Sequence, residues 1–288
     1  KFKAILSTCK KDKLFFKKAG TGFLVLGVSP SLLATDFGKE IKTETIAIKT
    51  KKEDVFKVGI AGWTFKKLAL EQSLEIMNRV NVRYLSIKDY HLPFNSTAKQ
   101  IAEFHDKLKS KGIIGYAVGP IDMDTEDKVD LSFDYAKRVG VKLILGNSKI
   151  LPYVEKKVKE YGFRFAIHNE GGPTLNTIYA QIKDLDHHIG FCHDIGYSMQ
   201  SGLDPAELTL NYGDRIYDMH INDVTEISDK GEICLVGRGV FDFGSLISAL
   251  RNVRYYGKCS IEYELNPSDP LPGVAEEVGY FRGVIDTV

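Results

Sequence analysis

Between Phe165 and Glu264, four short apolar runs each end in residues that bind metals or carry protons. Phe165-Ala-Ile167 leads into His168-Asn-Glu170-Gly-Gly-Pro173, and Ile189-Gly-Phe-Cys192 leads into His193-Asp194-Ile195-Gly196. Ile216-Tyr217-Asp-Met219 leads into His220-Ile-Asn222-Asp223, and Cys259-Ser-Ile261 into Glu262-Tyr-Glu264. Apolar runs this short, separated by helix-length segments, are the pattern of parallel β/α units. In a closed (β/α)8 barrel such ends converge on one mouth, where active sites are assembled.

The rest of the chain supplies the remaining units. Strands are expected over Phe56–Ile60, Val82–Ile87, Ile113–Val118 and Val141–Leu145, then to His168, to Asp194, to His220 and over Lys258–Tyr263. Apolar residues at helical spacing place helices over Leu68–Val80, from the Asn95-Ser96-Thr97 cap to Leu108, over Thr125–Val139 and over Ile150–Tyr161. Gly112, Gly140 and Gly162 stop three of them. Thr174 can cap the next, Pro205 sits in the first turn of another, and Phe243–Val253 and 273–286 complete the set. A longer loop is expected from Asp223 to Phe241. Eight strands alternating with helices make an α/β fold, a (β/α)8 TIM barrel over residues 56–288, and about 250 residues suffice for one.

Residues 1–34 differ from this pattern. They hold seven lysines against one aspartate, then Phe23-Leu-Val-Leu-Gly-Val28 and the small-residue end Ser29-Pro-Ser-Leu-Leu-Ala34. A basic region, an apolar core and a small-residue end read as an export signal, implying a periplasmic or secreted protein. The stretch from Lys10 to Gly20 resembles a twin-arginine signal, with Lys10-Lys11 where the two arginines would stand. The alternative is a basic helix packed on the barrel, in a cytoplasmic protein. Residues 35–55 read as a polar linker. Without residues 1–34 the formal charge would go from +1 to −5, and neither value suggests a nucleic-acid partner. No apolar run is long enough to span a membrane. The four cysteines show no CxxC spacing, and Cys192 and Cys259 inside strands read as small buried apolar residues.

Side-chain alternation puts His168 with Glu170 on one face, Cys192 with Asp194, Asp218 with His220 and Asn222, and Ser260 with Glu262 and Glu264. With those faces inward, His168, Asp194, His220 and Glu262 meet from four successive strand ends. Neutral imidazole and carboxylate together suit a divalent cation. Such an ion could hold two neighbouring oxygens of a sugar and stabilise the enediolate left when a nearby carboxylate removes a C–H proton. Any one buried histidine is more often a core residue; four such residues at consecutive strand ends are harder to explain by packing. Lys88, His91 and Asn147 follow other strands and could reach a substrate. Arg238, between two glycines, reads either as an anion contact or as a solvated loop residue. Asp223 reads either as a group orienting a histidine or lysine or as a surface acid.

From about Phe56 onward the chain resembles the sugar phosphate isomerase/epimerase family of xylose-isomerase-like barrels. The resemblance rests on Ala166-Ile-His168-Asn-Glu-Gly-Gly-Pro173, Cys192-His-Asp194-Ile-Gly-Tyr197, Tyr217-Asp-Met-His220-Ile-Asn-Asp223, Val236-Gly-Arg-Gly-Val-Phe-Asp242 and Ser260-Ile-Glu262-Tyr-Glu264. It implies a metal-dependent enzyme of carbohydrate metabolism holding Mn, Mg, Co or Zn, with Asp194, His220 and Glu262 as ligands and His168 beside them. It also implies an isomerase or epimerase on a small carbohydrate, in a homo-oligomer, with Glu262 as one acid/base group; Glu170 is the candidate to stand in for the second. Two positions depart from the family pattern. Its strand five often reads Glu-Asn-His where this chain has His168-Asn-Glu170, and Tyr197 stands where relatives commonly place a substrate-binding histidine. A lyase or dehydratase acting on a keto-sugar or inosose needs only one base and is the alternative reaction. A sugar-binding barrel without turnover is the alternative outside enzymes.

Overall fold

The computed structural model describes residues 54–288. The expected export signal and all but the last two residues of the linker lie outside the described residues.

The chain alternates strand and helix. In order these are β1 (Lys57–Ile60), α1 (Leu70–Arg79), β2 (Tyr84–Ile87), α2 (Ala98–Ser110), β3 (Ile114–Asp122), α3 (Glu126–Val139) and β4 (Leu143–Asn147). Then come α4 (Leu151–Tyr161), β5 (Arg164–His168), α5 (Leu175–Ile182), β6 (Ile189–Asp194), α6 (Ile195–Gln200), α7 (Pro205–Tyr212) and β7 (Ile216–Ile221). A ribbon of β8 (Asp223–Val224) and β9 (Ile233–Cys234) precedes α8 (Phe243–Asn252), β10 (Lys258–Ile261) and α9 (Leu271–Thr287). The eight long-range strands close a parallel barrel in the order β1-β10-β7-β6-β5-β4-β3-β2, as the alternating pattern implies.

Local chemistry sets the element ends. Thr97 accepts from the Gln100 N–H while the Gln100 side chain accepts from the Thr97 N–H, a reciprocal cap at the start of α2. Gly140 ends α3 at φ 83°, and the Val141 N–H turns back to the Ala136 carbonyl at 3.1 Å. Val141 therefore belongs to the helix stop, and β4 begins two residues later than expected. β3 runs past the expected end at Val118 to Asp122, which pairs with Asn147 of β4. Part of the loop after Asp223 is the antiparallel ribbon β8–β9, and the short α6 follows β6 with no loop between them.

The main core lies between barrel and helices, where Phe133, Phe165, Phe191, Phe243 and Phe281 are fully buried. A second, smaller apolar cluster holds Ala117, Leu145, Ala166, Cys192 and Tyr217. Tyr116 of β3 reaches across the barrel, with its hydroxyl donating to Asp218 Oδ2 at 2.8 Å and lying 2.7 Å from Ser260 Oγ. β3 is not adjacent to β7 or β10, so these contacts place Asp218 and Ser260 on the inner face. Two residues further along each strand, His220 and Glu262 then face the mouth.

Candidate functional site

His168, Asp194, His220 and Glu262 come together at the C-terminal mouth, offering one donor atom each within 4.8 Å of one another. They are respectively 3, 1, 0 and 5 % exposed. His220 Nδ1 lies 3.0 Å from Glu262 Oε2 and 3.8 Å from Asp194 Oδ2, and His168 Nε2 lies 3.6 Å from the same Asp194 oxygen. Both ring nitrogens of His168 and Nε2 of His220 are buried without a hydrogen-bond partner. A buried imidazole nitrogen without a partner is costly, and a cation bound between the carboxylates relieves that cost. Two imidazoles and two carboxylates at this spacing therefore fit a divalent metal ion.

The electrostatics agree. Burial raises the Asp194 carboxyl, but His168, His220 and the Tyr197 N–H outweigh it and hold its pKa low. Burial lowers the two imidazoles, yet carboxylate neighbours reverse the shift: Asp194 and Glu170 for His168, and Glu262 for His220. The pocket favours positive charge, which a proton or a metal ion can supply.

Asp194 is held on several sides. Its Oδ1 caps α6 by accepting from the Tyr197 N–H at 3.1 Å, and Asn222 Nδ2 donates to both carboxylate oxygens at 3.2 and 3.0 Å. Asn169 accepts from the Asp194 backbone N–H at 2.7 Å and donates to its carbonyl at 3.0 Å. A Cβ on Gly196 would stand 2.9 Å from Asn222 Cβ and 3.1 Å from Asp194 Oδ1, so the turn into α6 leaves no room for a side chain. Outer contacts of this kind orient a ligand before any ion arrives.

The cluster opens on a cavity of about 300 Å³, lined also by Trp63, Lys88, Asp122, Asn147, Glu170, Tyr197 and Glu264. Lys88 Nζ donates to the Pro120 carbonyl at 2.7 Å, and burial pushes its pKa down. Glu170 Oε2 lies 3.4 Å from His168 Nδ1, and Tyr197 Oη donates to its other oxygen at 3.4 Å. Trp63 Nε1 donates to Glu264 Oε2 at 2.8 Å, leaving the indole 38 % exposed at the rim.

Of the expected site residues, the structure brings Lys88, Asn147, His168, Glu170, Asp194, Tyr197, His220 and Glu262 to this mouth. His91 and Arg238 do not line it. The His91 N–H bonds the Lys88 carbonyl, a turn that sends the ring back to the Leu68 carbonyl at 2.9 Å, next to Ser73. Arg238 makes a two-point ion pair with Glu276 of α9 and is largely exposed. Asp223 orients neither a histidine nor a lysine. It accepts the N–H groups of Val224, Gly237, Gly239 and Phe241 and anchors the loop from β8 to α8. Sequence reasoning missed Trp63 and Asp122. The only tryptophan, just after β1, was a usable signal; Asp122 was hidden because β3 was cut four residues short.

Several solved structures share this fold. A zinc-bound IolI protein superposes with TM-score 0.63 at 16 % identity, over 80 % of this chain and 98 % of its own. A sugar phosphate isomerase/epimerase from Parabacteroides distasonis gives 0.62 at 13 % identity, over 84 % and 99 %. D-psicose 3-epimerase from Clostridium cellulolyticum gives 0.62 at 15 %, over 80 % and 99 %. Comparison with curated protein sequences finds no match. A family model matches residues 70–284, most of the chain, and with the closed parallel barrel and its polar mouth it shows that this chain belongs to the xylose isomerase-like TIM barrel family.

Proposed function

We propose that this protein is a metal-dependent isomerase or epimerase acting on an uncharged sugar or sugar derivative. The observation that carries the reading is the buried His168–Asp194–His220–Glu262 cluster, with unpartnered imidazole nitrogens, opening on a polar cavity of sugar size. These four residues would hold the ion. When bound, it polarises a substrate carbonyl and lowers the cost of negative charge on the neighbouring oxygen.

The chain's own residues do the rest. Glu262 removes a C–H proton adjacent to the carbonyl and leaves an enediolate of the sugar. Glu170, lining the same cavity and bonded by Tyr197 Oη, returns a proton to the other face. Lys88 and Asn147 bind hydroxyls at the far wall. Trp63 offers its ring to the C–H face of the sugar. Asp122, Glu170, Glu262 and Glu264 line the cavity against Lys88, its one lysine, so a phosphate or carboxylate on the substrate would be repelled. With residues 1–34 as an export signal, the protein would work in the periplasm or outside the cell, on free rather than phosphorylated sugars. The likeness to a zinc-bound protein and to a ketose epimerase supports the reading.

One observation favours a second reaction. His168 stands where the family pattern often has a glutamate, and the Glu170 side chain is 56 % exposed. Glu262 acting alone suffices for elimination, which makes the chain a lyase or dehydratase on a keto-sugar. The test is a screen of keto-sugars with metal-loaded protein in deuterated water. Solvent deuterium appearing in a product isomeric with the substrate supports epimerisation; loss of water or of a leaving group supports the lyase. Purified protein that holds no metal and exchanges no sugar hydrogen would overturn both and leave a binding protein.

A further inference from the structure

The opposite end of the barrel, where the strands begin, holds a second cavity of about 300 Å³. Arg164, at the start of β5, lies on its wall with its guanidinium 5.0 Å from the Tyr217 ring and 5.3 Å from the Tyr256 ring. Several other arginines of the described residues are committed. Arg251 pairs with Asp54, Arg238 with Glu276, and Arg215 donates to the carbonyls of Ile182, Leu185 and Ile189. The Arg164 side chain has neither a carboxylate partner nor a hydrogen bond among the described residues. The two rings attract its charge, and no hydrogen bond engages its N–H donors, which stay available to an anion.

A second cation lines the same cavity. Lys142 lies on its wall and has no ion-pair partner among the described residues. Lys258, at the start of β10, stands close by over the Tyr84 and Tyr116 rings at 4.6 and 5.8 Å. No aspartate or glutamate belongs to the wall. Asp186, the carboxylate held against the wall residue His188, is 2.7 Å from its Nδ1 and so is already engaged.

We propose that this cavity is a binding site for a small tetrahedral oxyanion, a phosphate or sulfate monoester, separate from the mouth that carries the chemistry. The open fork of Arg164 meets two oxygens at once and Lys142 adds a point charge. The volume leaves room for a small organic group on the ester. The inference does not rest on the proposed reaction.

The experiment is thermal unfolding of the full chain, stripped of metal, in rising inorganic phosphate, inorganic sulfate or sodium chloride of matched ionic strength. The proposal expects the midpoint to rise with the logarithm of phosphate concentration above the dissociation constant, by about 5–10 °C at a hundredfold excess. Sodium chloride should give a smaller response without that logarithmic rise, and the relative size of the sulfate response identifies which ester the site prefers. Arg164→Gln should reduce the phosphate response to that of sodium chloride. Lys142→Gln, an exposed position that cannot compromise the fold, should weaken it at least about tenfold in concentration. Lys88→Ala, in the mouth, should leave it unchanged. A phosphate response no larger than that of sodium chloride, or one that survives in both Arg164→Gln and Lys142→Gln, would overturn the proposal.

Discussion

Two buried acidic regions lie side by side, and they use their carboxylates oppositely. Asp223 is fully buried and receives four backbone N–H groups, so its charge is spent on closing the loop between β8 and α8. Asp194, at the end of β6, is equally buried but faces imidazoles with unpartnered nitrogens. Residue type and burial do not separate the two. The satisfaction of neighbouring polar atoms does: a complete set of partners marks an anchor, and an incomplete one marks a place for something else to bind. Asn222 joins the regions, because it precedes Asp223 in the chain and donates to both oxygens of Asp194.

The contrast can be broken first at Glu262. Glu262→Gln should cut turnover by about 100- to 10,000-fold, with circular dichroism and the melting midpoint nearly unchanged. Normal turnover would remove the glutamate from the proposed reaction. Asp194→Asn should leave a folded protein with little metal by elemental analysis. Asp223→Ala should do the reverse. It leaves several N–H groups without their acceptor, at a cost on the order of 1–3 kcal/mol for each that water cannot reach. Unfolding by urea should show the loss, with metal content retained in whatever protein is folded. If Asp223→Ala cost activity but no stability, the anchor reading would fail.

A smaller effect is expected at the junction. Asn222→Ala should weaken metal binding by about 10- to 100-fold, measured by competition with a chelating dye, because Asp194 loses its orienting donor. The smallest effect lies behind the anchor. Glu277 is 3 % exposed, receives the Val236 N–H on one oxygen and has no partner on the other. Burial raises its pKa to about 8, with Glu276 and Asp223 adding to the shift. A carboxyl whose folded pKa is raised binds its proton more tightly folded than unfolded. Its contribution to stability is therefore lost as pH rises from about 4.5 toward 8. Glu277→Gln should raise the midpoint by a few degrees at pH 8, about 2–4 °C for each kcal/mol regained, and by little at pH 4.5. Equal gains at both pH values would mean that ionisation is not the cause.

The barrel was legible because its signals are local and repeated. Strand, polar end, helix and glycine stop recur along the chain, and the expected order of the eight barrel strands is the one observed, with α6 and the β8–β9 ribbon added to it. Errors fell where one signal hid another. Val141 looked like strand but closes a helix, and β3 ran past a Gly119-Pro120 pair that reads as a stop. The four cluster residues were legible from alternation, since period two leaves each strand only two choices of face. His91 and Arg238 were not, because a residue after a strand end is aimed by its loop, and the loop answers to contacts far away in sequence.

Taken alone, the order of residues determined which segments become strand or helix, that they pair in parallel, and which strand ends carry imidazole and carboxylate. Those properties depend on neighbours within a few positions and on a fixed side-chain period. Only the tertiary structure decided that Asp194 faces unpartnered nitrogens while Asp223 is saturated with donors, that Arg238 is paired with Glu276, and that Arg164 lies against two tyrosine rings without an ion-pair partner among the described residues. Each of those outcomes depends on which atoms from distant segments arrive within about 3–4 Å, the range over which hydrogen bonds and direct ion-pair contacts form.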